Sequence, residues 1–264
     1  MPFTQTPDGT RLYYETIGQG EPLLFISGQG SDHHGWDEVR DDFAAHYQVI
    51  VYDHRGTGQS DKPESPPYTT RGFARDAIAV LDALHIERAH IYGISMGGRI
   101  GQWLAIDFPE RVGAVVLGCT TPGNKHGVVR PAEVDEWMKS RDQDAIAQTL
   151  VSPGWMAQHP EWVEKRAEQA LNPIPAHAQR LHYAASEGHD SWAELPRLSA
   201  PTLVIHGSED MLNMTANAYL LQERILNAEL YIVNGGRHIY FVEYQAESSA
   251  AVLDFLARNP LSTL

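Results

Sequence analysis

The sequence predicts an α/β fold in which helices cover both faces of a mostly parallel, eight-stranded sheet. Short apolar runs alternate along the chain with helical patterns, and that alternation is typical of parallel sheets. Each run is almost continuously apolar, as expected of strands that are buried on both faces. Six such runs occupy residues 23–27, 48–52, 90–92, 113–117, 202–205 and 230–233.

Three helical patterns and one hairpin complete the predicted core. Residues 71–84 repeat apolar side chains every three or four positions, which is the spacing of one helix face, and residues 98–108 and 246–256 behave similarly. Residues 1–6 and 11–16 flank a Pro-Asp-Gly turn. They therefore predict an antiparallel hairpin at one edge, which brings the strands to eight.

One long segment interrupts the alternation of strands and helices. Residues 122–198 contain no strand-like run, and helical patterns cover residues 131–150 and 160–187 instead. Such a length is too great for a plain loop, and strands resume after it. We expect residues 122–198 to form a helical lid over one core domain made of residues 1–121 and 199–264. An independent helical domain is the alternative.

Composition excludes several classes of protein. The 264 residues include 34 acidic and 20 basic side chains, a net charge of −14, so the basic surface that nucleic-acid binding needs is missing. The single cysteine, Cys119, excludes an internal disulfide and a cysteine-rich zinc site. The sequence shows no signal peptide and no apolar run long enough to span a membrane. We expect a cytoplasmic protein with a small-molecule substrate; the sequence leaves the oligomeric state open.

The motif Gly93-Ile94-Ser95-Met96-Gly97 carries the candidate nucleophile. It directly follows the predicted strand at residues 89–92 and opens a helix. A serine on such a sharp strand-to-helix turn needs glycine neighbours, because Cβ atoms would clash there. The turn exposes the hydroxyl of Ser95 at a helix N-terminus, where the partial positive charge stabilises an oxyanion. Ser95 is therefore predicted to be a catalytic nucleophile.

A catalytic serine needs a base and an acid that orients the base, and after this type of turn the chain order is serine, acid, histidine. Asp210 and its neighbour Glu209 follow the predicted strand at 202–205, and both are candidates for the acid. His238 follows the last strand and a Gly-Gly turn, which favours it as the base. His33 and His34 are further candidates to face the pocket.

Two backbone N–H groups are predicted to form an oxyanion hole. One belongs to Met96, and the other to Gln29 in the loop after the first parallel strand, where Gly28 permits close approach of substrate. A dinucleotide-binding G-x-G-x-x-G is absent, because position 33 is histidine. No spacing typical of metal ligands is present, and no metal or organic cofactor is expected.

Several further motifs resemble the α/β-hydrolase superfamily over nearly the whole chain. The loop Asp53-His54-Arg55-Gly56-Thr57-Gly58-Gln59-Ser60 is similar to its D-x-R-G-x-G-x-S. Gly207-Ser208-Glu209-Asp210 is similar to its G-x-x-D, which favours Asp210 over Glu209 as the acid. His238 followed by Glu243 matches its H-x-x-x-x-E. The resemblance implies a Ser95–Asp210–His238 triad in the branch that uses a serine nucleophile.

Within that superfamily the chain resembles 3-oxoadipate enol-lactonase-like hydrolases and small carboxylesterases. Three stretches carry this resemblance: Ser95-Met96-Gly97-Gly98, Gly101-Gln102-Trp103-Leu104 and Pro109-Glu110-Arg111. Most family members have His-Gly in the oxyanion loop, whereas this chain has Ser27-Gly28. The resemblance implies hydrolysis of a carboxylic ester or lactone through an acyl-enzyme. Alternatives are a carbon–carbon bond hydrolase of diketone-type ring-cleavage products, a cofactor-free haloperoxidase or perhydrolase, and a ligand sensor without efficient turnover.

The predicted lid is expected to determine the substrate. Trp137 and Trp155 are candidates to line an apolar pocket, although tryptophans at these positions could equally hold the lid helices together. Residues 123–195 carry seven basic and eleven acidic side chains, a difference of four in favour of negative charge. Arg130 or Arg180 could bind a substrate carboxylate, but this charge balance favours a neutral ester or lactone.

Overall fold

The computed structural model describes residues 2–65, 68–140, 142–171 and 173–263. Eight strands form one sheet in the order β1-β2-β4-β3-β5-β6-β7-β8. The strands are β1 (Phe3–Gln5), β2 (Arg11–Ile17), β3 (Glu21–Ile26), β4 (Tyr47–Tyr52), β5 (Ala89–Ile94), β6 (Val112–Gly118), β7 (Thr202–Gly207) and β8 (Ala228–Val233). All pairs from β4 to β8 are parallel, and β1 and β2 form the antiparallel edge. The predicted fold class is confirmed.

Eleven α-helices are found in the part of the chain that the structure describes. They are α1 (Arg40–Ala44), α2 (Thr70–Ala83), α3 (Met96–Asp107), α4 (Ala132–Ser140), α5 (Gln143–Leu150), α6 (Pro153–Gln158), α7 (Pro160–Leu171), α8 (Ala176–Glu187), α9 (Ala216–Arg224), α10 (Tyr240–Glu243) and α11 (Gln245–Ala257). Six residues of the predicted domains lie outside the described residues: Met1, Pro66, Pro67, Arg141, Asn172 and Leu264.

Two apolar layers enclose the sheet because its central strands are buried on both faces. Along β3, Leu24 and Ile26 belong to the cluster that contains Phe73 of α2. Leu23 and Phe25 point the other way and join the cluster that contains Phe255 of α11. Successive side chains of a strand alternate between faces, so a run without polar interruption needs a helix layer on each side.

The register of the sheet brings the carboxyl ends of β3, β5, β6 and β7 to one edge. Ile26 pairs with Gly93, Ile94 with Gly118, and Gly118 with Ile205. The loops that follow these strands therefore open side by side. This edge is where an open α/β sheet binds its ligands.

Helices α4 to α8 lie between β6 and β7 in the chain, within the segment predicted to be helical. Of the helices that the structure describes, none has both the length and the apolar character needed to cross a membrane.

Candidate active site

Ser95 lies on a strained turn between β5 and α3. Its φ of 54° and ψ of −117° place a non-glycine residue at positive φ, which is rare and typical of functional sites. A Cβ at Gly97 would lie 2.0 Å from the carbonyl oxygen of Ile26, and one at Gly93 would lie 2.2 Å from the carbonyl oxygen of Gly97. Only glycine fits at both positions, so the sequence motif follows directly from the geometry of the turn.

The backbone of Ser95 is fixed by the neighbouring strand. Its N–H donates to the carbonyl oxygen of Gly118 at 2.9 Å, and its own carbonyl oxygen accepts the hydroxyl of Thr120 at 2.7 Å. On the other side, a Cβ built on Gly28 would lie 3.5 Å from the Cβ of Ser95, so the oxyanion loop passes close to the nucleophile. The side chain of Ser95 remains half-buried and lines a cavity.

Asp210 and His238 meet at the sheet edge although 28 residues separate them. Nδ1 of His238 lies 2.9 Å from Oδ2 of Asp210, and both side chains are buried. The other oxygen of Asp210 accepts the backbone N–H groups of Leu212 at 2.8 Å and Asn213 at 2.9 Å. His238 lines the same cavity as Ser95. The structure therefore brings the three residues of the predicted triad to one site.

The carboxylate of Asp210 is held in its charged form. Complete burial alone would raise the pKa of Asp210, but the charge of His238 and the hydrogen bonds from His206 and His238 lower this pKa well below its usual range. Nε2 of His206 lies 3.1 Å from Oδ2 of Asp210 and 2.6 Å from the carbonyl oxygen of Asn213. Because a carbonyl oxygen only accepts, this Nε2 carries a proton and donates to both oxygens. Sequence reasoning had not assigned this role to His206.

The two residues predicted to form the oxyanion hole are both close to Ser95. Met96 is the first residue of α3, and first-turn N–H groups of a helix have no intrahelical partner. Gln29 lines the cavity beside Gly28, in the loop that follows β3. The arrangement suits a negatively charged oxygen between the loop and the helix N-terminus.

His182 of α8 forms a hydrogen bond with the oxyanion loop, which follows β3 and contains Gly28 and Gln29. Its Nδ1 accepts the N–H of Gly30 at 3.3 Å, and its Nε2 donates to the carbonyl oxygen of Arg55 at 2.8 Å. Burial lowers the pKa of His182, which favours the neutral ring that this pair of bonds requires. In the sequence, His182 is a histidine of the long segment between β6 and β7 without an evident partner. Its contact with a loop 152 positions away is visible only in the fold.

The loop from Asp53 to Ser60 has a structural role. Asp53 accepts both the N–H and the ring Nδ1 of His33, at 2.8 Å and 2.7 Å. Asp32, His33 and Asp53 lie close enough together to offer three ligand atoms to a metal, but those hydrogen bonds already tie His33 to Asp53. A Cβ at Gly58 would lie 2.1 Å from Asp53, and this glycine also has a φ of 45°. His33 thus orders a loop. It is not one of the described residues that line the Ser95 cavity.

Backbone hydrogen bonds join the end of α5 to the loop that carries His238. The N–H of Ile239 donates to the carbonyl oxygen of Leu150 at 3.0 Å, and the N–H of His238 donates to that of Thr149 at 3.4 Å. One turn further on, the carboxylate of Glu243 accepts the N–H of Ser152 at 2.8 Å and also its hydroxyl. We call this contact, formed by residues 149–152 with 238–243, the histidine seam. It gives the predicted H-x-x-x-x-E motif a structural explanation.

A cavity of about 650 Å³ contains the site. Among the described residues, its lining includes Gly28, Gln29, Ser95, Cys119, Met138, Ile146, Leu150, Leu212, Asn213, His238 and Ile239. Trp137 is not part of this lining, although its neighbour Met138 is. Trp155 instead stacks on His159 at 4.1 Å between ring centroids and lines a separate cavity. The structure thus places neither tryptophan in the lining of the Ser95 cavity, and the ring of Trp155 packs on His159 and Trp162 instead.

Cys119 borders this cavity at the end of β6. Its φ is 39°, and its thiol is fully buried. Burial raises the pKa of the Cys119 thiol well above its usual value. A neutral thiol is a weak nucleophile, so Cys119 has a packing role beside Ser95.

Comparisons with known proteins agree with this geometry. The sequence profile of the alpha/beta hydrolase fold matches residues 21–244. The chain is 33% identical over 261 residues to 3-oxoadipate enol-lactonase 2 of Acinetobacter baylyi, covering 94% of each protein. It superposes with a TM-score of 0.84 on Est816, an N-acyl homoserine lactone degrading enzyme, at 30% identity over 97% of this chain and 100% of that chain. The enol-lactonase of Burkholderia xenovorans LB400 also gives 0.84, at 25% identity and the same coverage.

The fold, the strained serine and the profile match define the class of this protein: the chain belongs to the α/β-hydrolase fold family. Within it, the chain is a hydrolase similar over nearly its whole length to an enol-lactonase, as the sequence motifs indicated.

Proposed function

We propose that this protein is a serine hydrolase that cleaves a small carboxylic ester or lactone through an acyl-enzyme. One observation carries the proposal: Ser95 and His238 line one cavity, and the buried carboxylate of Asp210 holds Nδ1 of His238 at 2.9 Å. A proton on Nδ1 leaves Nε2 of His238 free to accept one. The similarity to an enol-lactonase and to an N-acyl homoserine lactone degrading enzyme supports the same substrate class.

In the first half of the reaction, Oγ of Ser95 attacks the carbonyl carbon and its proton passes to Nε2 of His238. The N–H groups of Met96 and Gln29 donate to the resulting oxyanion. When this intermediate collapses, the bond to the leaving oxygen breaks, and His238 returns the proton to that oxygen. The products are a free hydroxyl group and an acyl group on Ser95.

In the second half, a water molecule gives a proton to His238 while its oxygen attacks the acyl carbon. The second oxyanion occupies the same hole, and its collapse releases Oγ of Ser95, which recovers the proton from His238. The sum is one ester and one water converted into one acid and one alcohol. A lactone follows the same route, with both groups remaining on a single product.

Residues 122–198 act in this proposal as a lid over a core made of the rest of the chain. Their helices contribute Met138, Ile146 and Leu150 to the cavity wall, which supports a role in substrate selection. Removing the segment would open the cavity to water, where electrostatic stabilisation of the oxyanion is weaker.

The direct test is covalent labelling of the nucleophile. Intact protein is incubated with a neutral phosphonate probe, and the adduct is located by mass spectrometry alongside hydrolysis of a panel of esters, lactones and ring-cleavage products. We expect one adduct, on Ser95, and none in Ser95→Ala, while the matched variant of an exposed serine, Ser140→Ala, keeps it. Hydrolysis that survives in folded Ser95→Ala would overturn the mechanism. Turnover of ring-cleavage products alone would overturn the substrate class.

A further inference from the structure

The cavity that contains Ser95 has a charge opposite to that of the whole protein. The chain carries a net charge of −14. Yet the charged residues that line this cavity, counted over the part of the chain that the structure describes and leaving out His238, are four basic and two acidic. They are Arg99, Arg130, Lys139, Arg166, Asp135 and Glu187. A cleft lined mainly by charges of one sign, with low-dielectric walls, concentrates ligands of the opposite charge.

Arg99 is the basic residue most closely tied to the nucleophile. It is the fourth residue after Ser95, and its N–H donates to the carbonyl oxygen of Ser95 at 3.2 Å. One helical turn therefore separates the two residues, which corresponds to about 6 Å along the axis of α3. The sequence already showed an arginine at this spacing, but not which way its side chain points.

The guanidinium of Arg99 is buried without a carboxylate partner. Arg99 is 6% exposed. Its Nη1 donates to the carbonyl oxygen of Ser186 at 2.6 Å, and its Nη2 lies 3.4 Å from Oδ1 of Asn213. Within the described residues its Nε has no hydrogen-bond partner, and the group forms no ion pair with a carboxylate. Both acceptors are neutral, so the charge is uncompensated by direct contact.

The nearby charges do not remove this imbalance. Burial lowers the pKa of Arg99 to about 10, so the group is still positively charged at neutral pH. Glu187 acts on it only at longer range, and that carboxylate is exposed and already accepts the amide of Asn124 at 2.9 Å. Arg130 is paired with Asp135 at 2.5 Å. A buried charge without a partner is costly, and an anionic ligand would relieve the cost.

We propose that Arg99 selects substrates that carry a carboxylate on the acyl side of the ester or lactone. This inference rests on the proposed serine mechanism and deepens it. The short distance along α3 suits a carboxylate a few carbon atoms from the reacting carbonyl, as in half-esters of short dicarboxylic acids. A hydrogen-bonded arginine binds carboxylates well because its planar fork matches their two oxygens. The negative net charge of residues 123–195 predicted a neutral substrate, whereas the basic residues of the cavity lining favour an anionic one.

The test compares two p-nitrophenyl esters with the same acyl chain, one anionic and one neutral. Mono-p-nitrophenyl glutarate carries a free carboxylate, and its methyl ester is neutral. We expect the wild type to favour the anionic ester at least tenfold in kcat/KM, and Arg99→Met to reduce this ratio at least tenfold, mainly through KM. Arg99→Lys should restore part of the ratio. The matched control Arg75→Met, which removes an exposed arginine of α2 outside the cavity lining, should leave the ratio as it is in the wild type.

Two further measurements keep the inference separate from the proposed mechanism. Glutarate should protect Ser95 from the neutral phosphonate probe, and glutaramide should not, whether or not Arg99→Met folds. If neither ester is hydrolysed, the mechanism fails; glutarate binding to Ser95→Ala by calorimetry then still decides whether the anion site exists. A wild type that hydrolyses both esters with no preference for the anion, or a ratio unchanged in folded Arg99→Met, would overturn the role of Arg99.

Discussion

Replacing Asp210 with asparagine changes the proton positions at the proposed active site without changing its shape. Oδ1 of Asp210 accepts two backbone N–H groups, from Leu212 at 2.8 Å and Asn213 at 2.9 Å. Only the amide oxygen of the variant can occupy that position, so the NH₂ group turns toward His238. It then donates to Nδ1 of His238, and the ring proton moves to Nε2. In that tautomer the ring cannot accept the proton of Ser95.

The expected loss has two parts. The equivalent change of the triad aspartate to asparagine in a Ser-His-Asp protease, where the same tautomer forms, costs about 10⁴ in kcat. A factor of 10⁴ corresponds to about 5.5 kcal/mol of transition-state stabilisation. Stability also falls, because the donors on His206 and His238 both lose a charged acceptor, and a hydrogen bond to a charged group contributes about 1.5–3 kcal/mol. We therefore expect Asp210→Asn to be folded, about 3 kcal/mol less stable than the wild type, and nearly inactive.

The assay is kcat/KM on a p-nitrophenyl ester, with thermal unfolding of each variant as the check on folding. Glu209→Gln is the matched control, since Glu209 is the adjacent, exposed acid and lies 3.8 Å from Arg237. We expect it to change kcat/KM by less than about twofold, as is usual for a surface ion pair. A folded Asp210→Asn with more than a tenth of wild-type activity, or a larger loss in Glu209→Gln, would refute the assignment of the acid.

Three further perturbations follow from the structure. Gly97→Ala places a Cβ 2.0 Å from the carbonyl oxygen of Ile26, so the turn must move; kcat/KM should fall at least about 100-fold. Activity near the wild-type level would contradict this. His182→Leu removes the acceptor of the Gly30 N–H in the oxyanion loop, and steady-state kinetics should show kcat about tenfold lower with little change in KM. His177→Leu on the same helix is the control, and an equal effect there would argue against a specific role. Burial lowers the pKa of His54 to about 4. The unfolded state then binds a proton at His54 more readily than the folded state does. The contribution of His54 to the free energy of unfolding is therefore fully present above pH about 6.5, and up to about 3 kcal/mol is lost as the pH falls toward 4. Urea unfolding between pH 4 and 7 should show that the free energy of unfolding depends less on pH in His54→Phe than in the wild type. The same pH dependence in both proteins would contradict this role of His54.

Most of the fold could be predicted because its central strands leave little ambiguity. A run such as residues 113–117 has no polar interruption, and β6 (Val112–Gly118) is buried along its whole length. Such a run fits a strand covered on both faces and little else. The turn that carries Ser95 was equally predictable, since the clashes at Gly93 and Gly97 are local and follow from the turn itself.

The cavity wall could not be predicted in the same way. Its residues come from segments far apart in the chain, and composition does not record the direction of a side chain. Acidic residues such as Glu133 and Glu161 lie on exposed surfaces, so they dominate the charge of residues 123–195 without facing the cavity. The sequence left the role of the two tryptophans open for a related reason, because an aromatic ring at helical spacing fits a pocket and a helix contact equally well. The sequence shows an arginine at position 99, but it does not show that this side chain is buried without a carboxylate partner.

The histidine seam has a consequence for recombining parts of related enzymes. Residues 149–152 lie between β6 and β7 in the chain, far from His238 in sequence. Their carbonyl groups nevertheless accept the backbone N–H groups of His238 and Ile239, and the N–H of Ser152 donates to the carboxylate of Glu243. An exchange of the whole segment between relatives would therefore replace part of the support of the proposed catalytic base along with the cavity wall. A chimera that keeps residues 149–152 and Glu243 from one parent, and takes only α4 and α7 from the other, separates substrate choice from catalytic competence.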